Sequence, residues 1–171
     1  MMRNKYYLTA LLILVIDQIT KWIACKNLIS GSGVEIIEGY LRLSYTHNTG
    51  VAFGLFNDFD SVWKPYVLGA MAIVAVIIIY FYGRNSSPDR KLLQWALAII
   101  MGGILGNFVD RILNGYVIDF IEFHIHEAFY WPSFNVADSA ITVGIALLLI
   151  DTVKNPVKEE VDGQSAVDSQ S

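Results

Sequence analysis

The chain has 171 residues, of which 54% are hydrophobic and only 16% are charged. Soluble domains carry about 25% charged residues, so this apolar excess indicates a membrane protein. The formal net charge is -4 and no block of basic residues accompanies it, so nucleic acid is not an expected partner. The single cysteine, Cys25, excludes an internal disulfide and a zinc site with several thiolates.

Four apolar stretches approach the roughly 20 residues that cross a bilayer as a helix. They are Tyr6–Ala24, Tyr66–Tyr82, Leu92–Ile112 and Asp138–Val153. Basic residues cluster before the first stretch, between the second and third, and after the fourth, at Arg3, Lys5, Arg84, Arg90, Lys91, Lys154 and Lys158. Cytoplasmic loops are enriched in Lys and Arg, so both termini are predicted to be cytoplasmic. We expect an all-α membrane protein, a bundle of four transmembrane helices.

The connection between the first two spans is predicted to lie outside the cytoplasm. Its segment Val34–Tyr45 favours β-structure, because Leu41, Leu43 and Tyr45 alternate with Arg42 and Ser44. A small extracytoplasmic β-rich platform is therefore expected. The segment Asn57–Lys64 could form a short surface helix capped by one of its aspartates.

The C-terminal residues differ in composition from the rest of the chain. From Pro156 onward there are no aromatic residues, and Ser, Asp, Glu and Gln dominate. Such a segment cannot bury enough apolar surface to become ordered. We predict one membrane-embedded domain over residues 1–155 and a disordered cytoplasmic tail over residues 156–171.

Polar residues of three spans are predicted to meet at one depth, towards the outer face. The first span supplies them in its outer half, the third near its outer end and the fourth at its start, with two more in the connection between the third and fourth spans. They are Asp17, Gln18, Lys21, Asn107, Asp110, Arg111, Asp119, Asn135 and Asp138. An ionised side chain at mid-membrane costs about 3 kcal/mol, so such residues usually face a bundle interior or a wet cavity.

Two interpretations of these charges remain open. Asp17 with Lys21, and Asp110 with Arg111 or a neighbouring helix, could be ion pairs that only hold the bundle together. That interpretation fits Asp119 and Asp138 less well, because few basic residues lie near them in sequence. If these two carboxylates meet, their like charges in a low dielectric make them share a proton. A shared proton is the state that an aspartic protease needs.

Five sequence blocks resemble the lipoprotein signal peptidase family, also called signal peptidase II. They are Asp17-Gln-Ile-Thr-Lys21, Asn48-Thr-Gly-Val-Ala-Phe53, Gly102-Gly-Ile-Leu-Gly-Asn-Phe-Val-Asp-Arg111, Gly115-Tyr-Val-Ile-Asp-Phe120 and Phe134-Asn-Val-Ala-Asp138. Each block alone is a weak signal, but five in this order on the expected sides of the membrane are specific. The resemblance covers nearly the whole chain except the tail.

The resemblance implies an intramembrane aspartic endopeptidase of the bacterial inner membrane, with its active site at the outer face. Its substrates would be diacylglyceryl-modified prolipoproteins, cut just before the lipidated cysteine, with membrane lipid around the acyl chains and no metal or other cofactor. Asp119 and Asp138 match the family's catalytic aspartates. Asn48, Gly50, Asn107, Arg111, Asn135 and Ala137 match positions that line the substrate groove, and Asp17 matches a position thought to be structural. Val51 departs from the alanine that is common there.

Two other functions are compatible with parts of the sequence. Intramembrane carboxylates also mark transporters and proton pathways, although no inverted repeat or broken helix is visible. Glu122, His124 and His126 alternate with apolar residues, so on a strand they would share one face and could bind zinc. Activity that survives a chelator would exclude the zinc interpretation.

Overall fold

We describe the protein from a computed structural model, which describes residues 4–29, 33–50, 62–126 and 128–156. Four long helices dominate it: α1 (Asn4–Asn27), α2 (Lys64–Asn85), α3 (Lys91–Asn114) and α4 (Val136–Lys154). All four are long and apolar enough to cross a membrane. Each contains one of the four stretches predicted from hydropathy and extends it by one to three residues at each end. The predicted four-helix bundle is therefore confirmed.

Helix α3 forms the centre of the bundle, because α1, α2 and α4 all pack against it. The spacing of Gly102 and Gly106 predicts close helix packing, and the structure shows it. A Cβ atom on Gly102 would lie 2.8 Å from the carbonyl oxygen of Ala10 in α1, and one on Gly103 would lie 2.5 Å from that of Ala137 in α4. These glycines therefore let three helices approach within backbone contact.

The outward surfaces of the helices are apolar, as a lipid environment requires. In α2 the only buried residue is Gly69, which packs against Phe108 and Ile112 of α3. Large hydrophobic side chains such as Met71 and Ile78 are more than half exposed in the isolated chain. Hydrocarbon would cover these side chains, since lipid tails solvate them as well as a protein core does.

A four-stranded antiparallel sheet joins the helices at one end of the bundle. Its strands are β1 (Gly33–Ile37), β2 (Leu41–Asn48), β3 (Val117–Ile125) and β4 (Phe129–Tyr130), in that spatial order. The predicted β-platform is confirmed over β1 and β2. Strand β3 follows α3 directly and pairs with β2, so the connection from α1 to α2 and the connection from α3 to α4 contribute to the same sheet. The candidate surface helix at Asn57–Lys64 falls mainly outside the described residues, as do Val51 and all of the predicted tail after Pro156.

Candidate active site

Asp119 lies on β3, opposite Thr46 of β2, and its carboxylate is buried with 1% of the residue exposed. Both carboxylate oxygens accept a hydrogen bond from an amide side chain. The Nδ2 atom of Asn48 donates to Oδ2 over 2.9 Å, and Nδ2 of Asn135 donates to Oδ1 over 2.7 Å. The end of β2 and the start of α4 therefore fix the position of Asp119 from two sides.

Asp138 lies in the first turn of α4, where a capping box holds it. Asn135 is the N-cap residue: its Oδ1 accepts from the backbone N–H of Asp138 at 2.9 Å, and its own N–H donates back to Oδ2 of Asp138 at 3.3 Å. The other carboxylate oxygen accepts from Nδ2 of Asn107 at 2.8 Å. A capping box fixes the start of a helix, so here it also fixes a candidate catalytic group.

The two aspartates belong to one hydrogen-bond network. Asn135, which donates to Asp119, also donates to Oδ1 of Asn107 at 3.1 Å, and Asn107 in turn donates to Asp138. Among the described residues, no Lys or Arg nitrogen lies within 4.0 Å of either carboxylate. Burial and the nearby charge of Asp138 raise the pKa of Asp119 to about 7, despite the hydrogen bonds from Asn48 and Asn135. The site can therefore hold a proton at neutral pH.

The raised pKa predicts a pH-dependent effect of Asp119→Asn on stability. The pKa in the folded chain lies above the ordinary value of 3.8, so the stability that the protonated group contributes is full below about pH 4 and is lost as the pH rises through about 7. The variant lacks this loss. The difference in Tm, variant minus wild type, should therefore be more positive at pH 8 than at pH 5 in thermal unfolding. Equal differences at both pH values would contradict the raised pKa, and exposed Asp89→Asn is the control.

Lys21 lies beside this network and is fully buried between two carboxylates. Its Nζ atom is 2.8 Å from Asp17 and 2.9 Å from Asp110. Asp17 also accepts from the backbone N–H of Ala137 at 2.8 Å, and Asp110 accepts from Gln18 at 2.9 Å and from a backbone N–H at the start of β3. These contacts tie α1, α3, α4 and β3 together, as expected of structural ion pairs.

Arg111 donates to backbone carbonyl groups rather than to Asp110. One guanidinium nitrogen is 2.9 Å from the carbonyl oxygen of Gly50, and the other is 3.3 Å from that of Asn107. The N–H of Gly50 donates to Oδ1 of Asn48 at 2.9 Å, so the end of β2 and Arg111 support each other. Ala137, which was predicted to line the substrate groove, is completely buried, and its backbone N–H donates to Oδ1 of Asp17.

Two features of the site were not predicted. Gln18 was expected at this depth, but its contacts were not: its amide group donates to both Asp17 and Asp110. A cavity of about 530 Å³ lies between the β3–β4 segment and α4, with Asp138 in its wall. Its lining is mostly aromatic and aliphatic: Phe123, Ile125, Phe129, Trp131, Phe134 and Val143. Nothing in the spacing of these residues along the chain indicates that they meet.

The candidate zinc ligands have other partners. Glu122 pairs with Arg42 and Ser44, whereas His124 contacts Glu35 at 3.1 Å and the carbonyl oxygen of His126 at 3.0 Å. Within the described part of the chain, no group of three His, Cys, Asp or Glu side chains could hold a metal ion. These side chains connect strands of the sheet.

Fold and site together define a membrane-embedded protein with a buried carboxylate, Asp119, and a half-buried one, Asp138, in one hydrogen-bond network at the end of a four-helix bundle. The family model of signal peptidase II matches residues 9–154. A lipoprotein signal peptidase from Symbiobacterium thermophilum is 40% identical over 144 residues, which cover 84% of this chain and 91% of that protein. The chain belongs to the signal peptidase II family and is therefore a protease that removes signal peptides. This membership does not favour the transporter alternative.

Solved structures agree with this assignment. One bacterial membrane enzyme, determined by the in meso method at 2.3 Å resolution, has a TM-score of 0.80 at 28% identity and covers 92% of this chain and 93% of its own. A second, at 1.9 Å resolution, has a TM-score of 0.77 at 30% identity and covers 89% of this chain and 94% of its own. The fold is thus that of known bacterial membrane enzymes.

Proposed function

We propose that the chain is an intramembrane aspartic endopeptidase that cuts diacylglyceryl-modified prolipoproteins just before the lipidated cysteine. Removal of signal peptides from prolipoproteins follows from the family. The aspartic mechanism is supported by one observation above all: buried Asp119 and half-buried Asp138 belong to one hydrogen-bond network, and neither forms an ion pair with a Lys or Arg side chain of the described residues. Like charges in such a site share a proton.

The environments of the two carboxylates suggest different roles. Asp138 lies at the N-terminus of α4, where the helix dipole and a backbone N–H favour the ionised form. Because burial and the charge of Asp138 raise the pKa of Asp119 to about 7, we assign the shared proton to Asp119. Asp138 then acts as the base that takes a proton from the attacking water, while Asp119 polarises the scissile carbonyl and later protonates the leaving amine. No metal or organic cofactor takes part in these steps.

The enzyme offers an apolar surface to the lipid part of the substrate. This surface lies beside the pair Asp119 and Asp138, which we call the dyad. The cavity that includes Asp138 in its wall is lined by aromatic and aliphatic side chains and lies between α4 and the sheet. A diacylglyceryl group is attached to the residue that follows the scissile bond, so its glycerol must lie close to the dyad. An apolar wall at this place suits acyl chains that enter from the bilayer.

The proposed location is the bacterial inner membrane, with both termini cytoplasmic and the dyad near the outer edge. The sheet and the dyad lie where α1 and α3 end and where α2 and α4 begin. The basic residues Lys5, Arg84, Lys91 and Lys154 lie at the other ends of the helices, which is the cytoplasmic side by the positive-inside rule. Residues 1–155 then form the catalytic domain, and residues 156–171 a cytoplasmic tail.

The substrate assignment is tested with purified enzyme in lipid and two synthetic prolipoprotein peptides that differ only in the diacylglyceryl group. Mass spectrometry should show one cut, directly before the cysteine, and cleavage of the lipidated peptide alone. A chelator should leave the rate unchanged. Equal cleavage of both peptides would contradict the substrate class, and inhibition by the chelator would contradict the aspartic mechanism.

Arg111 is expected to bind the substrate main chain or the lipid head group. Arg111→Lys keeps the positive charge but loses the planar pair of donors that now reach Gly50 and Asn107. Cleavage should fall by about tenfold, with the yield of folded protein nearly unchanged. Arg84→Lys at the opposite end of the bundle is the matched control. Equal losses of activity and of folded protein would return Arg111 to a purely structural role.

A further inference from the structure

The ammonium group of Lys21 has a third partner besides the carboxylates of Asp17 and Asp110. An ammonium group has three N–H donors, and two of them point to Asp17 and Asp110. The third acceptor is not a carboxylate: Nζ lies 3.0 Å from Oδ1 of Asn107. All three donors are used, and Lys21 is only 1% exposed. Lys21 is therefore linked to Asp138 through Asn107, in addition to its ion pairs with Asp17 and Asp110.

The orientation of the Asn107 amide group depends on this contact. Its two ends look alike in shape, and only the partners decide which end carries the oxygen. The oxygen faces Lys21 and Asn135, and the nitrogen faces Oδ1 of Asp138 at 2.8 Å. Asn135 has two N–H groups for three nearby acceptors, so Lys21 is the stronger donor to the amide oxygen.

We propose that Lys21 is a positioning residue for the cleavage reaction: by binding the amide oxygen of Asn107, it aims the amide N–H at the carboxylate of Asp138. This inference rests on the proposed aspartic mechanism. Without Lys21 the amide can rotate by half a turn and present its oxygen to Asp138, which removes a hydrogen bond and adds repulsion. The charge of Lys21 also favours ionisation within the dyad, and it partly offsets the effect of burial on the pKa of Asp119.

The test replaces Lys21 by methionine, which has a similar length but no donor and no charge. The series is made in the wild type and in an Asp110→Asn background, where removal of Lys21 leaves one buried carboxylate instead of two. Cleavage of a lipidated prolipoprotein peptide is measured per folded enzyme, and kcat and KM are determined across pH. Asp110→Asn alone is the matched control, since it disturbs the same cluster but keeps the contact from Lys21 to Asn107.

Lys21→Met should lower kcat by roughly 10- to 100-fold with little change in KM, as expected for loss of an aligned hydrogen bond to a charged group. The acid limb of the pH profile should move to higher pH, because a positive charge that favours the ionised dyad is gone. Asp110→Asn should lower the amount of folded protein far more than it lowers kcat. In an Asn107→Leu background, Lys21→Met should cost less than about threefold in kcat, because both changes remove the same hydrogen bond.

Three results would overturn the inference. The first is a folded Lys21→Met protein with wild-type kcat and an unchanged pH profile. The second is the same result when Lys21→Met is made in the Asp110→Asn background. The third is a Lys21→Met, Asn107→Leu double variant whose loss of kcat equals the product of the two single losses. Failure of the aspartic mechanism itself gives a different pattern, in which Asp119→Asn and Asp138→Asn retain cleavage. An inactive Asp119→Asn together with a fully active Lys21→Met would reject the role of Lys21 alone.

Discussion

Asp119→Asn and Asp138→Asn should each lower cleavage of a lipidated prolipoprotein by at least about 10³-fold. Asparagine has nearly the size of aspartate but can neither accept the proton of the attacking water nor return one to the leaving amine. In the proposed mechanism one carboxylate accepts a proton and the other donates one in the same turnover, so they act as a unit. The double variant should therefore be little worse than either single one.

The measurement is the processing of a lipidated prolipoprotein by each purified variant, with folded protein verified by thermal unfolding. Asp89→Asn provides the matched control, because Asp89 is an exposed carboxylate in the connection between α2 and α3. Its cleavage rate should equal that of the wild type. Substantial cleavage by a well-folded Asp119→Asn or Asp138→Asn protein would end the dyad assignment.

Substitutions of Asn135 should separate the stability of α4 from the chemistry of the dyad. Its Oδ1 atom caps the helix, whereas its Nδ2 atom donates to Asp119. Asn135→Ser retains an N-cap acceptor but loses the amide donor, and Asn135→Ala loses both. Each variant should lose cleavage by about 100-fold, because the hydrogen bond that positions Asp119 in the proposed reaction centre is gone. Asn135→Ala should in addition be less stable than Asn135→Ser by about 1 kcal/mol.

The comparison needs both rates and unfolding temperatures, measured in the same lipid or detergent. Thr152→Ala is a suitable control, since the hydroxyl group of Thr152 donates to the carbonyl oxygen of Leu148 near the opposite end of α4. Cleavage by Asn135→Ser near the wild-type rate would show that capping is the whole function of Asn135.

The helices and the depth of the polar residues could be predicted because bilayer thickness imposes a simple rule. About 20 apolar residues are needed for each span, and the distribution of basic residues orients them. Since a rise of about 1.5 Å per residue then gives the depth of each side chain, Asp17 and Asp110 were expected at the same depth, and the structure joins them through Lys21. The position of a residue along a helix axis follows directly from its place in the sequence, so the depth of each side chain could be predicted.

The strand that bears Asp119 was harder to predict. Its first four residues, Val117–Phe120, are all buried, so the run lacks the alternation that marks a strand with one exposed face. The pairing of Asp119 with Thr46 depends on a register irregularity between Leu43 and Thr46 in β2. Such long-range register is set by tertiary packing, and a single sequence does not reveal it.

The detailed hydrogen bonding of the site was also beyond the sequence. Family resemblance placed Asn107 and Asn135 near the groove. It did not predict that these two side chains would join Asp119 to Asp138. Amide side chains can donate or accept at either end, and only the final arrangement of α3, β3 and α4 decides between these possibilities. The apolar cavity beside Asp138 likewise exists only after β4 has approached α4.

The proposed catalytic residues lie on different helices and strands, and this has a consequence for when the enzyme becomes active during its synthesis. The dyad needs Asp119 from β3 and Asp138 from α4, and the N–H of Ala137 in α4 is bound by Asp17 from α1. Helices α1 and α4 therefore meet at the proposed reaction centre. A nascent chain that has inserted only α1, α2 and α3 lacks one of the two proposed catalytic carboxylates, so we expect proteolytic activity only after α4 has been made and inserted.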